Sequence, residues 1–153
     1  MLSIKDPKEL TNFKNFDLGY GDWVLIDQKL INDFAEVSGD NQWIHVDVKR
    51  ASKDMPEGQT IAHGLLTLCL STKMGQEQLK IENTKLVINY GIDNLRFTSP
   101  VKVNSRIRMH SLIKDVTLRK DESILLRIKR VIEIEKQEKP AMVTETLSLI
   151  YPN

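Results

Sequence analysis

Cysteine is almost absent: Cys69 is the single one, so no internal disulfide can staple the fold, and a reducing compartment suits the chain. Long apolar runs are missing too. No stretch reaches the roughly 18 residues that a membrane-spanning helix requires. The opening residues Met1–Pro7 hold no apolar segment of signal-peptide length, so a cytoplasmic location without a membrane partner is expected. Nor is there an excess of charge. The 22 basic residues against 21 acidic ones give no broad field to attract nucleic acid or an anionic membrane. Repeats and low-complexity linkers are absent as well, which argues for one domain spanning residues 1–153.

What is present is a globular balance, 41% apolar and 28% charged residues, in a chain long enough to bury a real core. Residues 20–26 read as a strand, and Asp27 as the N-cap of a following helix. Leu30, Ile31, Phe34, Ala35 and Val37 give that helix its apolar set, and Gly39 suits its end. A loop carrying Asp40 and His45 leads to a short helical stretch over 48–52. From Ala62 to Met74 the chain is apolar nearly all round, the mark of a helix enclosed by a sheet. Cys69 lies in its middle and is expected to be a buried, inert thiol.

After Gly75 the period changes to two. Ile88, Tyr90 and Ile92 share one parity and Leu95, Phe97, Val101 and Val103 the other, so a bulge is expected at Asp93-Asn94. Ile107, Met109 and Ile113 continue the second parity, and Ile124, Leu126, Ile128, Ile132 and Ile134 alternate with more polar neighbours. The last strand runs from about Ala141 to Tyr151. A buried helix followed by long antiparallel strands predicts an α+β architecture, a sheet wrapped around a helix. If facing residues of the last two strands sum to 275, Ile132 meets Val143, Ile128 meets Leu147, and the charged intruders Arg130 and Glu145 face each other.

The chemistry concentrates in Ser38-Gly-Asp-Asn-Gln-Trp-Ile-His-Val-Asp47 and Thr60-Ile-Ala-His-Gly-Leu-Leu66. Adding water to an enoyl thioester needs a base for the water, an acid for the α-carbon and a donor for the enolate-like oxygen. An Asp and a His five positions apart, followed by a glycine opening a buried helix, supply those parts, since a helix N-terminus has free N–H groups. On spacing alone, Asp40 as a turn cap and His45 as a structural histidine fit equally well. A metal set of Asp40, His45, Asp47 and His63 matches no standard ligand spacing, and no metal is expected. His63 is expected to orient the loop, and His110 to be structural or solvent-facing.

The two segments together resemble the hydratase motif of the MaoC-like dehydratases, and within them the branch similar to nodulation protein N. The likeness extends through Asp22-Trp23, Tyr90-Gly91, Arg96-Phe97 and Pro100-Val101, about 18–108 in all. It implies the hot-dog fold, a curved antiparallel sheet around a long helix, assembled as a homodimer with acyl-CoA in a tunnel near the interface. It implies (R)-specific hydration of trans-2-enoyl-CoA, or the reverse dehydration, by Asp40 and His45, with the Gly64 N–H on the thioester carbonyl. The region of Ser71 and Thr72 corresponds loosely to a supporting hydroxyl. Many members have Asn-Pro where this chain has Gln42-Trp43, so Trp43 is expected to shape the acyl pocket. Arg106 and Arg108 are candidates for the coenzyme A phosphates. No cofactor is expected beyond the coenzyme A thioester itself. An acyl-CoA thioesterase and a non-catalytic acyl-CoA-binding subunit are the alternatives on the same fold.

Overall fold

A computed structural model describes Met1–Asn153 throughout. Its elements are β1 (Leu2–Ile4), a 3-10 turn (Pro7–Phe13), β2 (Phe16–Tyr20), β3 (Val24–Ile26), α1 (Gln28–Ser38), α2 (Trp43–Val46), α3 (Val48–Asp54), α4 (Gly64–Gln78), β4 (Leu79–Ile81), β5 (Thr84–Phe97), β6 (Ser105–Leu118), β7 (Ile124–Ile134) and β8 (Met142–Pro152). The main sheet is antiparallel in the order β2-β6-β7-β8-β5, with β3 also paired to β6. Leu66 and Met74 of α4 share a core with Ile107, Met109, Ile132 and Met142 of the sheet. This is the α+β arrangement expected, a sheet curved around one long helix.

Local chemistry explains the boundaries. The Asp27 carboxylate accepts from the Leu30 N–H at 2.8 Å and caps α1. Gly39, at φ 74°, ends it in the left-handed conformation that glycine adopts without strain. Ile31 and Ala35 are buried, whereas Val37 faces solvent and does not belong to the apolar face. The helix α4 is not enclosed all round either. Leu65 and Cys69, one turn apart, are exposed, so the thiol is not buried as the sequence suggested. The sheet covers one side of α4, and the apolar composition of its other side misled the reading.

The two-residue period holds in β6 and β7, where Ile107, Met109 and Ile113 face Ile134, Ile132 and Ile128. In β5 the expected bulge occurs between Asp93 and Arg96, with Asn94 at φ 55°, and a second falls between Asn89 and Gly91. The hairpin register differs from expectation by one residue. Ile132 meets Met142, Ile128 meets Thr146, and Arg130 meets Thr144 rather than Glu145. A one-residue shift exchanges the faces of β8 completely. Thr144, Thr146 and Ser148 therefore turn toward α4, while Val143, Leu147 and Leu149 turn away from it. Glu145 settles on the outer face, where it accepts from Lys114 and, at 3.0 Å, from Arg127. On the inner face this register buries Met142 and Ile150, so β8 still contributes apolar side chains to both cores.

The N-terminus contributes more than its sequence announced. β1 pairs in parallel with β4, and Ile4 and Leu10 enter a second core with Ile113, Ile124 and Ile150. None of the helices is long and apolar enough to cross a membrane.

Candidate active site

The site begins with the anchoring of α2. The Gln28 side chain at the start of α1 donates to the His45 carbonyl at 2.8 Å, and its own amide oxygen accepts the Thr60 hydroxyl at 2.5 Å. The Ile61 N–H donates to the Ile44 carbonyl at 3.0 Å. Residues 60–62 are thereby tied to the loop that carries His45, and the imidazole has little freedom. Its Nδ1 lies 2.7 Å from the Ile61 carbonyl. A carbonyl only accepts, so Nδ1 carries the proton and Nε2 keeps its lone pair. Burial is the largest influence on this ring and holds its pKa below the ordinary value. The bond to Ile61 and the field of Asp40 oppose the shift, and His63 reinforces it. His45 is therefore neutral at neutral pH.

His63 is buried behind it, with the two rings stacked at 3.7 Å between centroids. Its Nε2 donates to the Asp40 carbonyl at 2.9 Å, which pins the loop at Asp40. Its buried Nδ1 has no partner. The Asp40 carboxylate, on an exposed loop, accepts from the Gln42 N–H at 3.3 Å. The ligand atoms of Asp40, His45 and His63 lie within 4.8 Å of one another. This is a set that can hold and polarise one water.

Gly64 is the first residue of α4, and its N-cap, His63, makes no side-chain bond to the helix start. Its N–H is thus one of the free donors of a helix N-terminus. It opens on a cavity of about 300 Å³ whose lining includes His45, Ala62, Thr67, Phe97 and Val101. A Cβ at this position would lie 2.8 Å from the Phe97 ring, so close approach here needs glycine.

Residues 14–136 match the family model described as the MaoC like domain. The chain belongs to the MaoC-like dehydratase family. It is 40% identical to 3-hydroxyacyl-thioester dehydratase Z of Mycobacterium tuberculosis, covering 96% of this chain and 97% of that one. It is 38% identical to nodulation protein N of Rhizobium meliloti, covering 97% and 91% respectively. Its fold matches the unliganded (R)-hydratase PhaJ1 of Pseudomonas aeruginosa, with TM-score 0.71 at 21% identity over 87% of this chain and 82% of that one. The fold is accordingly the hot-dog fold.

Not every residue singled out in this MaoC-like sequence reaches the cavity. Trp43 stacks under the Arg50 guanidinium at 4.2 Å and is absent from the lining. Asp47 caps α3 through the Arg50 N–H and stays out of the Asp40 cluster. Arg106 and Arg108 alternate with the buried Ile107 and Met109 and so lie on the sheet face turned away from α4. They pair there with Glu135 at 3.4 Å and Glu133 at 3.0 Å, and Arg108 also stacks over Tyr20 and Trp23. Thr72 lines a second cavity further along α4. His110 sits on β6, 2.8 Å from Asp17. Conversely, sequence reasoning gave no site role to Gln28, Thr60, Thr67 or Phe97, although Thr60 and Phe97 stand in the stretches that carry the family likeness. Gln28 and Thr60 act through pairings distant in sequence, which no local pattern signals.

The burial of His45 has a consequence in stability. The unfolded chain takes up this proton near pH 6.5, the folded chain only at lower pH. Between those values the unfolded state holds more protons, so stability rises with pH and is lost as pH falls through the window. Urea unfolding at a series of pH values should show a shallower loss below about pH 6.5 for His45→Gln than for the wild type. Equal slopes would mean that the imidazole is not held neutral by the fold.

Proposed function

We propose that the chain catalyses the reversible hydration of trans-2-enoyl-CoA to (3R)-hydroxyacyl-CoA. One observation carries the reading. A neutral imidazole with a free Nε2 and a carboxylate lie within 4.8 Å of each other, beside a cavity into which a helix opens its first, unpaired N–H. In this mechanism one water sits between the Asp40 carboxylate and His45 Nε2. The Gly64 N–H donates to the thioester carbonyl, which draws electron density away from the C2–C3 double bond. The water oxygen bonds to C3 while a proton passes to C2 on the same face. One water proton ends on C2 and the other stays on the new hydroxyl, so both residues finish the cycle as they began. A donor placed as Gly64 is supplies roughly 3–4 kcal/mol to such an oxyanion in characterised enzymes.

His63 acts as a positioning residue, since it bonds to the Asp40 backbone and stacks on His45. No metal or redox cofactor enters the mechanism, because the thioester itself acidifies C2. No serine or cysteine side chain hydrogen-bonds to the His45 ring, whose Nδ1 is taken by the Ile61 carbonyl, so hydration by an activated water is favoured over attack by a side-chain nucleophile. Cys69 is exposed on the far face of α4 and does not line the cavity.

Asp40→Asn keeps size and removes the basic carboxylate; His45→Gln removes the imidazole. Each should lower turnover by at least ~10²-fold, the lower end for general acid–base catalysis. Because the two act on one water, the double variant should be scarcely slower than the worse single one. Steady-state rates on crotonyl-CoA decide the matter, and an Asp40→Asn enzyme at wild-type speed would end the mechanism.

The reading includes a homodimer. β5 ends the sheet with a free edge of 14 residues, and Val87, Ile88, Tyr90 and Ile92 along it are exposed. An open apolar edge of this length invites pairing, and a second copy supplies an identical one. Light scattering at micromolar concentration should give twice the chain mass. A monomer there would leave β5 unexplained.

A further inference from the structure

The register of the β7–β8 hairpin leaves one charge without a partner. Arg130 points to the α4 side of the sheet, flanked across the strands by Ser111 and Thr144, both neutral. Its Nη1 donates to the Ser71 carbonyl at 2.8 Å and to the Ser71 hydroxyl at 3.3 Å. Its Nε–H is buried and finds no acceptor. No carboxylate of the chain forms an ion pair with it, although twelve such contacts occur elsewhere. Burial lowers the guanidinium to about 10, which still leaves a cation at neutral pH. A largely covered charge and an unmet donor are both costly, and the cavity beside this one has room for an acceptor that the chain does not supply.

The surroundings are built for that charge. A Cβ on Gly75 would lie 2.8 Å from Nη2, so the helix leaves room where the guanidinium sits. Arg130 lines a cavity of about 320 Å³ together with polar Asn89 and Ser148 and apolar Leu126 and Ile128. Apolar walls with a cationic, polar end fit a chain whose tip is anionic. The cavity lies further along α4 from the first one, and the two are lined by different residues. Gly64 and Thr67 border the first cavity, Ser71 follows Thr67 by one turn and Gly75 by another. At 1.5 Å per residue, roughly 10–17 Å of helix axis separates Gly64 from the guanidinium.

We propose that Arg130 receives a carboxylate at the far end of the acyl chain, so that the preferred substrates are thioesters of ω-carboxylated enoyl chains. A carboxylate matches the planar guanidinium in charge and in geometry. A methyl end would take water from the cation and give nothing back. The proposal rests on the enoyl-thioester reading for the direction of the chain, but its ligand preference is measurable without turnover.

Calorimetry with two unreactive saturated esters of equal length, octanoyl-CoA and suberoyl-CoA, tests it. The wild type should bind suberoyl-CoA at least ~10-fold more tightly, about the worth of one charge-assisted pair. Arg130→Met, checked for folding by circular dichroism, should reverse the order, and Arg130→Lys, which keeps charge but not the fork, should retain part of it. Should Arg130→Met not fold, the wild-type ratio decides alone. Equal or tighter binding of octanoyl-CoA by the wild type overturns the proposal while leaving hydration intact. Failure to bind either ester, with no hydration of crotonyl-CoA, overturns both.

Discussion

The segment Thr60–His63 is sewn into the structure along both of its edges, and the site depends on that stitching. On one side the Ala62 N–H donates to the Val101 carbonyl at 2.7 Å and the Val103 N–H to the Thr60 carbonyl at 3.0 Å. These bonds fasten it to the chain just before β6. On the other side Ile61 holds both the Ile44 carbonyl and the His45 ring, and His63 holds the Asp40 carbonyl. The segment then becomes α4 directly. One short extended piece thus fixes the acid, the imidazole and the helix N-terminus relative to the sheet. Such mutual fixing by backbone bonds is what a preorganised site requires, because no group has to be reoriented as charge develops.

The features that patterning controls were legible in the sequence. The alternation in β6 and β7, the cap and stop of α1, and the bulge near Asn94 follow from short-range rules, and the structure has each of them. Asp40 and His45 were legible as a candidate pair because they lie close in sequence, and Gly64 because it sits in the second segment of the family motif. Three features of the fold were not. The β8 register was not legible because Val143, Leu147 and Leu149 line the outer face, while Thr144 and Ser148, between inward Met142 and Ile150, are small and polar next to Arg130. Cys69 was misplaced because composition cannot show which side of an apolar helix the sheet covers. The pairing of β1 with β4 joins residues far apart in sequence, and neither strand exceeds three residues.

The register of β7 and β8 also sets the electrostatics of both sheet faces. Had Arg130 faced Glu145, the hairpin would hold a neutral ion pair. The observed register instead sends Glu145 outward to Lys114 and Arg127, with its pKa lowered chiefly by the bond to Lys114. Arg130 remains alone against α4. The same one-residue choice that secures the outer face therefore creates an unpaired cation beside a cavity on the inner one.

The central claim is that this cleft adds water to a conjugated thioester rather than cleaving it. Purified protein mixed with crotonyl-CoA, followed at once for enoyl absorbance and for free thiol, with the chirality of the product determined, addresses it most directly. The account predicts loss of the enoyl absorbance, no thiol, and (3R)-hydroxybutyryl-CoA. Thiol release, or the (3S) product, would contradict it.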